Sequence, residues 1–313
     1  MLSVGLVGAR GHTGKELVAI LSRRSDMRLA FASSRAMAGE PVTKLAPQAR
    51  EDLIFEAMGP EDVAARGADA VILALPNGEA APYVAAIDKA APGTIIVDLS
   101  ADYRFDDSWV YGLPELYGRE RLKGATRISN PGCYATAGQL CVHPVRDLLS
   151  GPAHLFGVSG YSGAGTTPSR KNDVEALRDN LMPYSLTGHL HEREMSRHLD
   201  HEVRFCPHVA AFFRGITLTA QLSFAAPVTL DTLKSRYEAA YGPEPLIRLS
   251  DAIPEIRDGQ DVPGAVVGGW AVGEGGGYGT VVCALDNLLK GAAVQAVQNL
   301  ALAAGLEELG GIA

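Results

Sequence analysis

The chain is poor in cysteine, with four in 313 residues, and poor in aromatic side chains, which make up 6%. Cys133, Cys141, Cys206 and Cys283 form no Cys-x-x-Cys pair, so neither a disulfide framework nor a zinc knuckle is available to hold the fold. No apolar run approaches the roughly 18 residues that a membrane-spanning helix needs. No Lys/Arg-rich block occurs either, and the formal charge is −8. Nucleic acid and acidic membrane surfaces are therefore poor general partners. The chain opens directly into Ser3-Val4-Gly5-Leu6-Val7, without the basic region, apolar segment and cleavage site of a secretory leader. The expected compartment is the reducing cytoplasm, where a reactive thiol stays available.

What is present is ample for a large core: 47% of residues are hydrophobic and 20% charged, over a length that suggests two domains. Strand-like and helix-like patterns alternate through the first hundred residues. Val4–Val7 reads as a strand, Lys15–Arg23 as a helix and Arg28–Ser33 as a strand. Ala70–Leu75 is a nearly continuous apolar run, followed by a helical stretch over Glu79–Ala90 and a strand at Thr94–Leu99. Alternation of this kind predicts a doubly wound α/β sheet. The middle of the chain is different. Leu155–Gly160, Arg204–Val209, Ile216–Phe224 and Ala265–Val272 are strand candidates with only one helix, Leu230–Tyr241, among them, which predicts an α+β domain. The glycine-rich stretch 273–279 reads as a hairpin connection. Asn287–Ala304 reads as an amphipathic helix that packs back on the first domain.

Gly8-Ala9-Arg10-Gly11-His12-Thr13-Gly14 joins the first strand to the first helix. Glycines there permit a tight turn and let the backbone approach a pyrophosphate at the helix N-terminus. The alternative is a plain glycine turn. At the end of the second strand, where an NAD enzyme usually carries Asp or Glu, stand Ser33-Ser34-Arg35. Two hydroxyls and a guanidinium suit a 2′-phosphate, so NADP (NADPH) is the expected cofactor.

Cys133, in Ser129-Asn130-Pro131-Gly132-Cys133-Tyr134-Ala135-Thr136, precedes a helical pattern over Ala135–Leu149. The positive end of a helix favours the nucleophilic thiolate, and its free N–H groups can hold an oxyanion. Cys141, Cys206 and Cys283 lie in apolar contexts and read as core.

These segments, together with Asp98–Arg104, Val158–Gly165 and Asp286–Ala293, resemble the N-acetyl-gamma-glutamyl-phosphate reductases, in family order and over nearly the whole chain. His12 departs from the aromatic residue common in that family. The resemblance implies a Rossmann-type NADP-binding domain over 1–132 plus 286–313, with an α+β catalytic domain inserted over 133–285. It also implies a reaction: an acyl phosphate, N-acetyl-glutamyl 5-phosphate, is reduced to the aldehyde with release of inorganic phosphate, through a thioester on Cys133. A homo-oligomer, dimer or tetramer, is expected. The family's His-x-His-x-x-Glu segment falls on His189, His191 and Glu194, implying His191 as acid/base, Glu194 orienting it and His189 as an auxiliary.

A metal site built from these histidines with His198, His201 and His208 is the competing reading, although a thioester route needs none; His198 and His201 otherwise read as an exposed helix end. Arg104 and Arg214 are candidates for substrate anions, or else structural ion pairs. Asn130 and Ser162 join them on the substrate side and Gly163 on the cofactor side, Ser162–Gly165 being a tight turn whose amides would line the pocket. Rival functions are a related reductase acting on carrier-linked aminoadipyl or glutamyl phosphate or on aspartyl phosphate, and a non-catalytic NADP sensor.

Overall fold

The computed structural model describes residues 1–312, which divide into two compact units. One is Met1–Gly132 with the chain from Ala292 onward; the other is Cys133–Gly291. Residues 286–291, expected with the first domain, thus belong to the second unit. The reason is local: the Asp286 carboxylate receives Arg214 Nε at 2.6 Å, and Asn287 Oδ1 receives the Gly215 amide at 2.7 Å.

The first unit is a parallel sheet of β1 (Leu2–Val7), β2 (Met27–Ser33), β3 (Phe55–Glu56), β4 (Ala70–Leu73), β5 (Ile95–Asp98), β6 (Val110–Tyr111) and β7 (Arg127–Ser129). Its order is β3-β2-β1-β4-β5-β7-β6. The helices are α1 (His12–Ser22), α2 (Pro60–Ala65), α3 (Ala81–Ala90) and the single turn α4 (Pro114–Tyr117). β4 is Ala-Val-Ile-Leu and wholly buried, as a parallel strand covered on both faces must be. The chain moves outward from β1 through β2 to β3, then returns past β1 to β4. That reversal makes the β1/β4 junction a topological switch point, where open α/β sheets bind ligands at the strands' carboxyl ends.

The second unit holds α5 (Cys133–Val142), β8 (Ala153–Gly160), α6 (Val174–Leu177), β9 (Leu181–Pro183), α7 (Leu190–Leu199), β10 (Val203–Ala210), β11 (Ile216–Ser223), α8 (Leu230–Tyr241), β12 (Ile247–Ser250), α9 (Ile256–Gly259), β13 (Ala265–Val272) and β14 (Tyr278–Leu285). Its mixed sheet runs β12-β13-β14-β11-β8-β10-β9. Burial alternates along β8 and β10, so one face packs and the other carries Phe156, 45% exposed, and Cys206. Every residue of α5 after Cys133 is buried. Tyr241 on α8 fixes that helix by donating to the Leu140 carbonyl at 2.9 Å, and Tyr237 donates to that of Cys141.

α5 is shorter than the pattern over Ala135–Leu149 suggests, because Pro144 cannot donate into the α-helical ladder and the chain tightens to a 3-10 helix over His143–Leu148. The stretch 273–279 is a hairpin turn between antiparallel β13 and β14, with Gly275 and Gly276 at positive φ. The short strands β3, β6, β7, β9 and β12 escaped the sequence pattern. The helix expected from Asn287 is a π-helical turn, Leu289–Ala293, followed by α10 (Val294–Ala303). α10 packs on α1 and β5 and buries Gln295, Gln298 and Asn299 with its apolar residues. Among the described residues no helix is long and apolar enough to cross a membrane.

Candidate active site

In the first unit the glycine loop leaves the carboxyl end of β1. Gly8 and Ala9 amides donate to Ser33 O at 3.2 and 3.1 Å, which ties the loop to the end of β2. Gly8 has φ +81°, and a Cβ there would lie 2.2 Å from the Ala74 carbonyl just beyond β4. A Cβ on Gly14 would lie 2.2 Å from the Ala9 carbonyl, so that glycine lets helix pack on loop. Gly11 is different: a Cβ there would meet nothing closer than 3.9 Å, and its φ is −67°. The fold does not require a glycine at this position, so its bare backbone leaves room for a ligand. Gly11 is the N-cap of α1, with no acidic residue in the first turn, so the exposed amides around His12 and Thr13 suit a pyrophosphate. Burial lowers the His12 pKa, with Lys15 adding to the effect, so its ring tends to neutrality.

Ser33 and Ser34 are buried at the end of β2, and Arg35 is exposed just beyond, alongside the exposed Arg10 of the loop. The nearest carboxylate on β3, Glu56, is paired with Arg66. Its charge is therefore compensated beside the end of β2.

Two substrate candidates of the first unit have other work. Arg104 is buried and donates from Nε to Asn130 O at 2.9 Å and from Nη2 to Leu99 O at 2.7 Å. The Asn130 amide side chain accepts from Asn299 Nδ2 at 3.0 Å and donates to Ala292 O at 3.3 Å. Both hold the chain after β5 and β7. These contacts tie both side chains to backbone and to α10.

In the second unit Cys133 is the first residue of α5 and only partly exposed. A Cβ on Gly291 would fall 2.7 Å from the Cys133 Cβ, so that glycine allows the chain after β14 to press against Cys133. Tyr134 is buried and donates to the His208 carbonyl at 2.6 Å. Its ring lies 4.9 Å from Phe205 and 6.1 Å from His191. His189 is the N-cap of α7: its Nδ1 accepts from the His191 amide at 3.1 Å, which leaves the ring proton on Nε2. Burial lowers the His189 pKa, with Lys171 contributing. The His189 and His191 rings are 4.9 Å apart, and Glu194, one helical turn on, is fully buried.

Tyr184 was not foreseen. It follows the short strand β9, and its ring stands edge-on to His189 at 5.6 Å. Burial pushes its pKa up, and the neighbouring Cys133 charge pushes the same way. Lys171 sits over this ring, 4.9 Å from the centroid. Neither residue lies in a motif, so only the tertiary structure could have found them.

Ser162 receives Asn287 Nδ2 at 2.9 Å, and Gly163 follows it in a 3-10 turn. The Ser162 amide, expected to line a pocket, donates to Phe213 O at 3.0 Å, as the Tyr161 amide before it does to Phe212 O at 3.0 Å. Arg214 donates to Asp286 and also pairs with Asp261 at 3.1 Å. These are the contacts of the structural ion pair that stood as the alternative to a substrate-carboxylate site. Arg214→Leu would leave the fully buried Asp286 without its cation, a change worth about 3–5 kcal/mol of stability. The expected result is a melting temperature lower by roughly 10 °C with cofactor affinity unchanged in the folded fraction, read by calorimetry and cofactor titration.

Cys141 and Cys283 are buried, and burial pushes the Cys141 thiol well up, as core thiols should be. Cys206, expected in the core, is exposed because it points to the open face of the sheet. His198 and His201, expected at an exposed helix end, are half-buried, and His201 Nε2 lies 2.9 Å from Gly151 O. Among the described residues no group of three or more His, Cys, Asp or Glu is placed to hold a metal ion.

A switch-point glycine loop in one unit and a thiol at a helix N-terminus in the other define a two-domain dehydrogenase of the semialdehyde type. Residues 3–125 match the family described as semialdehyde dehydrogenase, NAD binding domain, and residues 133–287 match semialdehyde dehydrogenase, dimerisation domain. The fold is shared with aspartate semialdehyde dehydrogenase II of Vibrio cholerae solved in complex with ASA, at TM-score 0.78 and 15% identity over 97% of this chain and 98% of that one. It is shared also with the Candida albicans aspartate semialdehyde dehydrogenase solved with NADP, at TM-score 0.75, 15% identity and coverage of 97% and 99%. Sequence is far closer elsewhere. N-acetyl-gamma-glutamyl-phosphate reductase of Stenotrophomonas maltophilia is 55% identical over 98% of this chain and 96% of its own. The Xylella fastidiosa protein of that name is 55% identical over 98% and 92%, and that of Xanthomonas campestris pv. campestris strain B100 is 52% identical over 98% and 97%. The chain belongs to the N-acetyl-gamma-glutamyl-phosphate reductase family.

Proposed function

We propose that the protein is an NADPH-dependent reductase that converts N-acetyl-glutamyl 5-phosphate to N-acetyl-glutamate 5-semialdehyde and inorganic phosphate, working in the cytoplasm as a homodimer or tetramer. The observation that carries this reading is the placement of Cys133 at the head of a buried helix, among Tyr134, Tyr184, His189 and His191. The helix's positive end favours the thiolate there. The thiolate attacks the acyl carbonyl, the C–O bond to the phosphoryl group breaks, and a Cys133 thioester remains as phosphate departs. First-turn amides of α5 are the donors for the oxyanion formed at each tetrahedral stage. Bound NADPH supplies the hydride that takes the thioester to the aldehyde level. His191 moves the proton as the thiohemiacetal collapses, Glu194 orients it, and His189 keeps the start of α7 in place through its cap. Gly8, Arg10, Gly11, His12, Thr13 and Gly14 would hold the pyrophosphate, and Ser33, Ser34 and Arg35 the 2′-phosphate.

The reaction is tested in reverse, as phosphate-dependent NADP reduction with N-acetyl-glutamate 5-semialdehyde beside aspartate semialdehyde. Preference for the aspartyl compound, or turnover that needs no phosphate, defeats the proposal. Cofactor choice has its own check. Arg35→Ala should raise KM for NADPH by about tenfold and leave NADH unaffected, because one charge-assisted contact to the 2′-phosphate is lost. An unchanged NADPH/NADH ratio removes the 2′-phosphate assignment.

A further inference from the structure

We propose that Lys171 is a substrate-binding residue of the thiol site, holding an anionic group of the acyl substrate, either its phosphoryl group or its carboxylate. This rests on the acyl phosphate reading above and adds a residue that no motif marks. The electrostatic problem is plain: the chain carries a net charge of −8, yet its substrate is a polyanion. The arginines that the sequence nominated for it are committed elsewhere, Arg214 to Asp286 and Asp261, Arg104 to the Asn130 and Leu99 carbonyls. A further cation near the thiol would add to what these paired arginines offer an anion.

Lys171 is placed for this. Its ammonium lies over the Tyr184 ring at 4.9 Å from the centroid, and that ring meets His189 at 5.6 Å. Tyr184 belongs to the surroundings of Cys133, whose charge acts on it, and His189, edge-on to that ring, feels the charge of Lys171. Among the described residues no carboxylate pairs with Lys171. A surface lysine facing an aromatic wall rather than an acid leaves its charge available to a ligand.

The loop that carries it is built, although exposed. Asn172 Nδ2 donates to Gly165 O at 2.9 Å and Thr167 O at 2.8 Å, while its Oδ1 accepts from Ser169 N at 2.8 Å. One side chain thus closes the loop between Gly165 and Asn172. The platform is fixed as well, since the Tyr184 amide donates to Pro207 O on β10 at 3.2 Å. A flexible four-carbon stem on a closed loop suits a cation that follows an anion through a reaction in which the phosphoryl group leaves.

The test uses the intact enzyme in the reverse direction, with inorganic phosphate, N-acetyl-glutamate 5-semialdehyde and NADP each varied. Lys171→Met should raise KM for phosphate or for the semialdehyde about tenfold, with kcat and KM for NADP within twofold of wild type. Lys171→Arg should restore most of the loss. A rise for phosphate assigns the cation to the phosphoryl group, and a rise for the semialdehyde assigns it to the carboxylate. An active wild type whose Lys171→Met variant keeps both KM values, or loses kcat alone, overturns the assignment. A wild type with no turnover on this pair overturns the acyl phosphate reading and the assignment with it.

Discussion

Cys133→Ser should abolish turnover and leave NADPH binding intact. A serine hydroxyl has no low-pKa anion at a helix N-terminus, and an ester formed on it is a poorer hydride acceptor than a thioester. Cofactor binding survives because the glycine loop belongs to the first unit, whereas Cys133 opens the second. The same chemistry makes a stronger statement about the wild type. Incubated with acyl phosphate and no NADPH, it should release one phosphate per site and carry the acyl group on Cys133, read by intact mass and peptide mapping. The mapping matters, because Cys206 is exposed and offers a second thiol to any electrophile. An adduct on Cys206, or phosphate release that waits for NADPH, rules out the covalent route.

His191→Asn should lower kcat by about 10²–10⁴, the range typical of lost general acid–base help, and should flatten the pH–rate profile. The comparison with His189→Asn is informative because the two rings are 4.9 Å apart but differently employed. His189 caps α7 through Nδ1, and asparagine is itself among the best N-caps. His189→Asn therefore keeps the helix start and removes only the imidazole. Normal activity in His191→Asn with a dead His189→Asn would transfer the proton-moving role to His189. Normal activity in both would leave the mechanism without its acid.

The residues readable from sequence were those whose role is local. A glycine loop between strand and helix and a cysteine at a helix start are short-range patterns, and both helices begin close to where the pattern puts them, although α5 ends at Val142. The parallel sheet followed from Ala70–Leu73, whose apolar run has one sensible environment. What stayed hidden depended on partners far along the chain. Arg214 looks the same in sequence whether it faces a substrate or Asp286, 72 positions away. Cys206 sits in an apolar stretch, yet strand alternation turns it outward while Phe205 goes in. Tyr184 and Lys171 acquire meaning only when β9 pairs with β10 and a side-chain-closed loop folds over the ring. Gly291 has no motif of its own; its reason is the 2.7 Å approach to Cys133.

That approach, with β14 lying inside its sheet between β13 and β11, bears on how the protein is made. A ribosome releases Cys133 long before Gly291, and β14, which pairs with both β13 and β11, also follows it. Until then Cys133 has its helix but not its backing, and β11 lacks the neighbour that joins it to β13. Long-range pairings of this kind form slowly. The growing chain therefore carries a thiol that is not held in place until the stretch around Gly291 has been made.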